Sequence, residues 1–159
     1  MAKIHYLLGD ATVPQAKGKK IIAHVCNDQG KWGKGFVMAI SARWMEPETE
    51  YRAWHKMGDG FSMGAVQFVR VDPHTWVANM IGQRGTKTGS KGPPVRYDAI
   101  KKALAQVAVH AADVRATVHM PRIGCGLAGG TWDQIEPLIE STLIAAGIDV
   151  YVYDFGDGE

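Results

Sequence analysis

Long apolar runs are missing from this chain: nothing approaches the ~20 consecutive apolar residues that a membrane-spanning helix needs, so no bilayer contact is expected. The opening MAKIHYLLGD holds only a short apolar run before Asp10, which is not the pattern of a signal peptide. Charge of one sign is scarce too. The net charge is +2 and basic residues such as Lys17, Lys19 and Lys20 are scattered, which does not favour nucleic acid as a partner. Cysteine is limited to Cys26 and Cys125, neither with a CxxC partner. That count excludes a disulfide scaffold or a zinc ribbon and predicts reduced thiols in a cytoplasmic protein with no metal and no cofactor. Internal repeats are absent, and the oligomeric state is left open.

What is present fits one globular domain spanning residues 1–159, with 46% hydrophobic and 21% charged residues. KIHYLLG (3–9) and KKIIAHV (19–25) read as strands separated by a polar turn with Pro14 and Gly18. FVMAISARWM reads as a helix because Phe36, Val37, Ile40 and Trp44 recur at helical spacing. A second helix covers 47–57, with Pro47 in its first turn. Strands follow at 63–71 and 75–82. The polar stretch 83–95, rich in Gly, Pro, Ser and Thr, reads as a mobile loop over a site. RYDAIKKALAQVAVHAA (96–112) is a strongly amphipathic helix, and TVHMP (117–121) a strand. In TWDQIEPLIESTLIAAG, Thr131 and Gln134 suggest a capping box, Pro137 a break, and Gly147 a C-cap. IDVYVYDF closes the chain's last strand. The alternation predicts an α/β fold with helices covering a mixed sheet.

In such folds ligands bind beyond the carboxyl ends of strands. Three loops of unusual composition leave strands here: CNDQGKWGKG, GQRGTKTGSKG and RIGCGLAGG. Two are glycine-rich just before a helix, which suits a pair of phosphates held from both sides. The first is not a dinucleotide fingerprint, since Gly30, Gly33 and Gly35 run G-x-x-G-x-G. Nor is it a Walker A loop, because Phe36 follows Gly35.

YLLGDAT, IIAHVCNDQGKWGKGFVMAI, MPRIGCGLAGGTWDQIEPLI and the closing VYVYDF together resemble the macrodomain family, which binds ADP-ribose. The likeness keeps the order and spacing of the family's motifs over most of the chain. It is nearest the branches holding the terminal ADP-ribose glycohydrolase of animals and the ADP-ribose 1''-phosphate phosphatase of yeast. The resemblance implies a three-layer sandwich with a central mixed sheet of about six strands. It also implies a ligand-binding set. Asp10 would accept from the adenine amino group, with a backbone donor at Ala11 beside it. Asn27 would bind the distal ribose, its other reading being an Asx-turn. Gly33, Lys34, Gly35 and Phe36 would wrap the distal ribose and diphosphate. Ile123, Gly124, Cys125, Gly126 and Leu127 would form the facing diphosphate loop. Tyr153 would pack near adenine or simply fill the core.

Catalysis is less directly implied. His24 matches a histidine of the phosphatase branch, although it lies inside an apolar strand where a hydrogen-bonded core histidine is the commoner outcome. The glycohydrolase relative uses a lysine after the fourth strand and an aspartate in the diphosphate loop; the matching positions here are Gln83 and Ala128. Neither can form a Schiff base or act as a carboxylate base. Gln83 and Arg84 could instead orient a water or the leaving carboxylate, with Lys34 steadying developing charge. The expected function is removal of ADP-ribose from modified acidic side chains of proteins. The alternatives are a non-catalytic ADP-ribose reader and a phosphatase acting on ADP-ribose 1''-phosphate.

Overall fold

The computed structural model describes residues 1–89 and 92–155. Its strands are β1 (Ile4–Leu8), β2 (Lys20–Asn27), β3 (Val66–Asp72), β4 (Thr75–Gln83), β5 (Thr117–Met120) and β6 (Val150–Asp154). They form one mixed sheet in the order β1-β6-β5-β2-β4-β3. All neighbouring pairs are parallel except β3 with β4. The helices are α1 (Phe36–Arg43), α2 (Glu46–Met57), α3 (Tyr97–Val114) and α4 (Trp132–Ile139).

Period-two alternation along the buried strands divides the core into two layers. Ile21 and Ala23 of β2, Ala78 and Met80 of β4, and Val118, Met120, Val150 and Val152 pack against the apolar stripe of α3 and against Ile135, Ile139 and Leu143. The intervening Ile22 and Cys26 of β2, with Val77 and Ile81 of β4, meet Val37 and Ile40 of α1 and Tyr51 of α2. This is the expected three-layer sandwich of helices on both faces of the sheet. The cysteines lie on opposite faces, Cys26 in one layer and Cys125 against the other, so they cannot reach each other.

Two local expectations for the last helical segment fail. Thr131 occupies the N-cap but its side chain makes no capping bond, so no capping box forms; the Gln134 N–H is taken by the Thr131 carbonyl instead. Pro137 does not break the segment. It lies within α4, and the chain continues as a π-helical turn over Glu140–Ile144, where the Ala145 N–H reaches the Glu140 carbonyl. Gly147 closes the segment in the left-handed conformation, as expected (φ 82°).

Candidate functional site

Five parallel strands end at one edge of the sheet, so the segments that follow them are brought together there. Backbone bonds join these segments. Gly9 N–H donates to the Asp154 carbonyl (2.8 Å), Asp28 N–H to that of Gln83 (3.0 Å), and Val95 N–H to that of Ala128 (3.0 Å).

The segment after β2 is organised from within and from below. The Asn27 side-chain carbonyl accepts from the N–H groups of Gln29 (2.9 Å) and Lys31 (3.1 Å), while its amide donates to the Lys31 carbonyl (2.8 Å). The Asx-turn reading is therefore realised, and the side chain shapes the loop it opens. α2 supports the same loop. The buried Tyr51 hydroxyl lies 2.6 Å from the Asn27 carbonyl and 3.0 Å from its side-chain oxygen. Arg52 donates to the carbonyls of Gly30 (3.0 Å) and Trp32 (3.2 Å). Trp32 turns inward, 5% exposed, with its indole N–H on Ser41 (2.7 Å). Lys34 and Gly35 stay exposed, and Phe36 starts α1.

Opposite lies the turn after β5. Ile123 and Gly124 are buried, and a short 3₁₀ turn follows over Gly126–Ala128. Its internal bonds run from Ala128 N–H to Cys125 and from Gly129 N–H to Gly126, outside which lie the N–H groups of Gly126 and Leu127. A Cβ on Gly33 or on Gly126 would meet no atom within 4 Å, whereas one on Gly35 would lie 3.2 Å from the Leu127 side chain. The two glycine-rich segments thus come close together at Gly35 and Leu127. Gly129 fits against Pro93 only because it lacks a side chain: its φ is 80°, and a Cβ would sit 2.5 Å from Pro93.

At the β1–β6 end, one Asp10 carboxylate oxygen accepts from the N–H (2.8 Å) and hydroxyl (2.7 Å) of Thr12, leaving its second oxygen outside the turn; Ala11 is buried beside it. The Tyr153 hydroxyl accepts from Gln15 N–H (2.8 Å) and meets the His119 ring nitrogen at 2.8 Å, so this side chain belongs to the packed interior. The next aromatic along, Phe155, is 56% exposed.

The solved structure of a macrodomain protein from Streptomyces coelicolor is 58% identical with a TM-score of 0.87, covering 97% of this chain and 100% of that one. The chain belongs to the macrodomain family. A mouse chromodomain-helicase-DNA-binding protein 1-like is 32% identical over 161 residues, 96% of this macrodomain. The macrodomain spans only 18% of that relative's length. An ADP-ribose 1''-phosphate phosphatase of Lodderomyces elongisporus is 25% identical over 95% of this chain and 99% of its own. No protein-family model matches the chain.

Within the macrodomain the four positions weighed for chemistry separate clearly. His24 is 2% exposed, its ring 2.5 Å from the Asn79 side-chain oxygen and edge-on to Trp32 at 5.3 Å. β2 and β4 pair His24 directly with Asn79, which is why the two meet. Burial pulls the imidazole pKa down to about 4, against a smaller opposing contribution from Asn79, so the ring is neutral at pH 7 and held in the core. Ala128 is buried and turns only a methyl inward. Gln83 ends β4 and donates from its side-chain amide to the Gly85 carbonyl (2.9 Å). The Arg84 side chain, 62% exposed, extends from the same strand end.

Two participants at this edge carried no local sequence signal. Asp28 accepts from the Gly85 N–H (2.7 Å) and faces Arg84 at 3.8 Å, tying the segment after β2 to that after β4. Arg122, at the root of the glycine turn, binds both carboxylate oxygens of Asp154 (2.7 and 3.0 Å) and lies over the rings of Tyr6 and Trp132. Its pairing holds the Asp154 carboxyl below the usual range.

Proposed function

We propose that this macrodomain binds ADP-ribose between the two glycine-rich segments and hydrolyses it from modified acidic side chains of proteins, without a Lys/Asp pair. The facing glycine segments carry the reading. Gly33 and Gly35 on one side and Gly126 on the other let the backbone come close to a diphosphate, and donors outside the turn's own bonds suit its charge. The free oxygen of Asp10 suits the adenine amino group, with Ala11 N–H beside it and Phe155 offering an exposed ring face. The phosphatase relative, whose substrate is an ADP-ribose derivative, supports the same ligand class.

The cleaved bond joins the distal ribose to a side-chain carboxylate; water enters, and free ADP-ribose and the carboxylate leave. Arg84 supplies positive charge to the departing carboxylate, Gln83 orients the water, and Lys34 steadies charge from the opposite loop. His24 takes no part as acid or base, which weighs against the phosphatase reading. Ala128, which brings no carboxylate, is what a reader without catalysis would carry.

Titration calorimetry with ADP-ribose should give saturable binding; none at high micromolar concentration would overturn the reading. Incubation with glutamate-ADP-ribosylated protein should release ADP-ribose, and Gln83→Ala and Arg84→Ala should slow release with binding retained. Binding without release by the wild type would identify a reader.

A further inference from the structure

Charge at this edge is strongly segregated. Within the segments 28–35 and 84–96, the described residues include five cations, Lys31, Lys34, Arg84, Lys87 and Arg96, against the one carboxylate of Asp28. That is a local net of +4 among the described residues of these two segments. Arg96 is turned inward onto the carbonyls of Pro93, Pro94 and Val95 (2.6–3.1 Å). Lys31, Lys34, Arg84 and Lys87 are exposed. Asp28 is already engaged by Gly85 and Arg84, and those contacts hold the two cationic segments side by side. The β1–β6 end is different: Asp10, Asp154 and Asp133 lie there, with Arg122 committed to Asp154.

We propose that this cationic rim docks an acidic polypeptide segment flanking the modified residue, so that sequence context as well as ADP-ribose selects the substrate. The proposal rests on the function above, which puts the protein end of the substrate beside Gln83 and Arg84. A polypeptide suits the rim better than a nucleic acid. Single strands bind by stacking bases on exposed aromatic rings, and the only aromatic among the described residues of these two segments is Trp32, 5% exposed. Each exposed ion pair contributes a factor of about 1.5–5 in affinity, so a few together yield about tenfold.

The test compares two peptides carrying ADP-ribose through a hydrolysis-resistant linkage, one flanked by Glu and Asp, the other by Ser and Gly. Fluorescence anisotropy should show the acidic peptide binding about tenfold tighter at low salt, with most of that advantage lost as added salt shortens the Debye length to a few ångströms. The double variant Lys31→Glu, Lys87→Glu should erase the preference and leave affinity for free ADP-ribose within about twofold. Equal affinities for the two peptides, or the same loss of free ADP-ribose binding in the variant, would overturn the proposal. So would a single-stranded oligonucleotide competing better than an unmodified acidic peptide. Failure of the wild type to bind free ADP-ribose would instead sink the function on which the proposal stands.

Discussion

Gly33→Ala separates ligand binding from the stability of the scaffold. The backbone at Gly33 lies outside the left-handed region, and a Cβ would meet nothing within 4 Å. The free protein should therefore accept the methyl without strain. Restricting the unfolded chain adds about 0.4–1 kcal/mol of stability, or about 1–4 °C in Tm for a domain of this size. Ligand binding should move the other way. A phosphate oxygen taking a hydrogen bond from this loop comes to about 2.9 Å of a backbone nitrogen, and a methyl carbon needs about 3.5 Å of clearance. The expected loss is tenfold or more in ADP-ribose affinity, about 1.4 kcal/mol. Differential scanning calorimetry reads the first quantity and titration calorimetry the second. Gly35→Ala, with φ 81° and Leu127 at 3.2 Å, should by contrast lose stability and binding together. A Gly33→Ala protein that is stable and binds ADP-ribose like the wild type would refute the placement of the ligand.

Two further outcomes follow from the interior. Tyr51→Phe removes the hydroxyl donor 2.6 Å from the Asn27 carbonyl in a fully buried setting; it should cost about 1–3 kcal/mol in urea denaturation and weaken ADP-ribose binding through the loosened loop, and unchanged stability would count against that support. His24 and His119 are held neutral by burial, their pKa values drawn down to about 4 and about 3, below the 6.5 of the unfolded chain. Protons are taken up preferentially by the unfolded state below pH 6.5, so this contribution is intact above that pH and is lost as pH falls toward 4 and 3. By pH 5 each histidine should have cost about 2 kcal/mol; denaturation curves that coincide at pH 7 and pH 5 would contradict the assignment.

The elements of the fold were legible because they have local causes. The apolar spacing of α3 and the short β-rich runs of β2 and β4 announce themselves within a few residues. The glycine segments were legible for the same reason. What escaped was set by distant partners. Thr131 and Gln134 have the spacing of a capping box, yet the Thr131 N–H is met by the Tyr97 hydroxyl at 3.2 Å and the side chain makes no cap. Tyr153 reads as a candidate ligand aromatic until Gln15 and His119, both far along the chain, occupy its hydroxyl. The ties of Asp28 to Gly85 and of Arg122 to Asp154 span 57 and 32 residues and have no periodic signature. The stretch 83–95, expected as a mobile loop, is bridged at its base between Gln83 and Val95 and again between Gly89 and Gly92; residues 90 and 91 of the stretch lie outside the described residues.

The bond from Val95 to the Ala128 carbonyl and the seating of Gly129 against Pro93 make the glycine turn after β5 and the cationic arm mechanical neighbours. Where ordering of the turn also orders the arm, thermodynamic reciprocity requires that a nucleotide on one and a polypeptide on the other raise each other's affinity by the same factor. A substrate joining both would be held by that cooperation, and cutting the link would dissolve it, hastening departure of both halves at once.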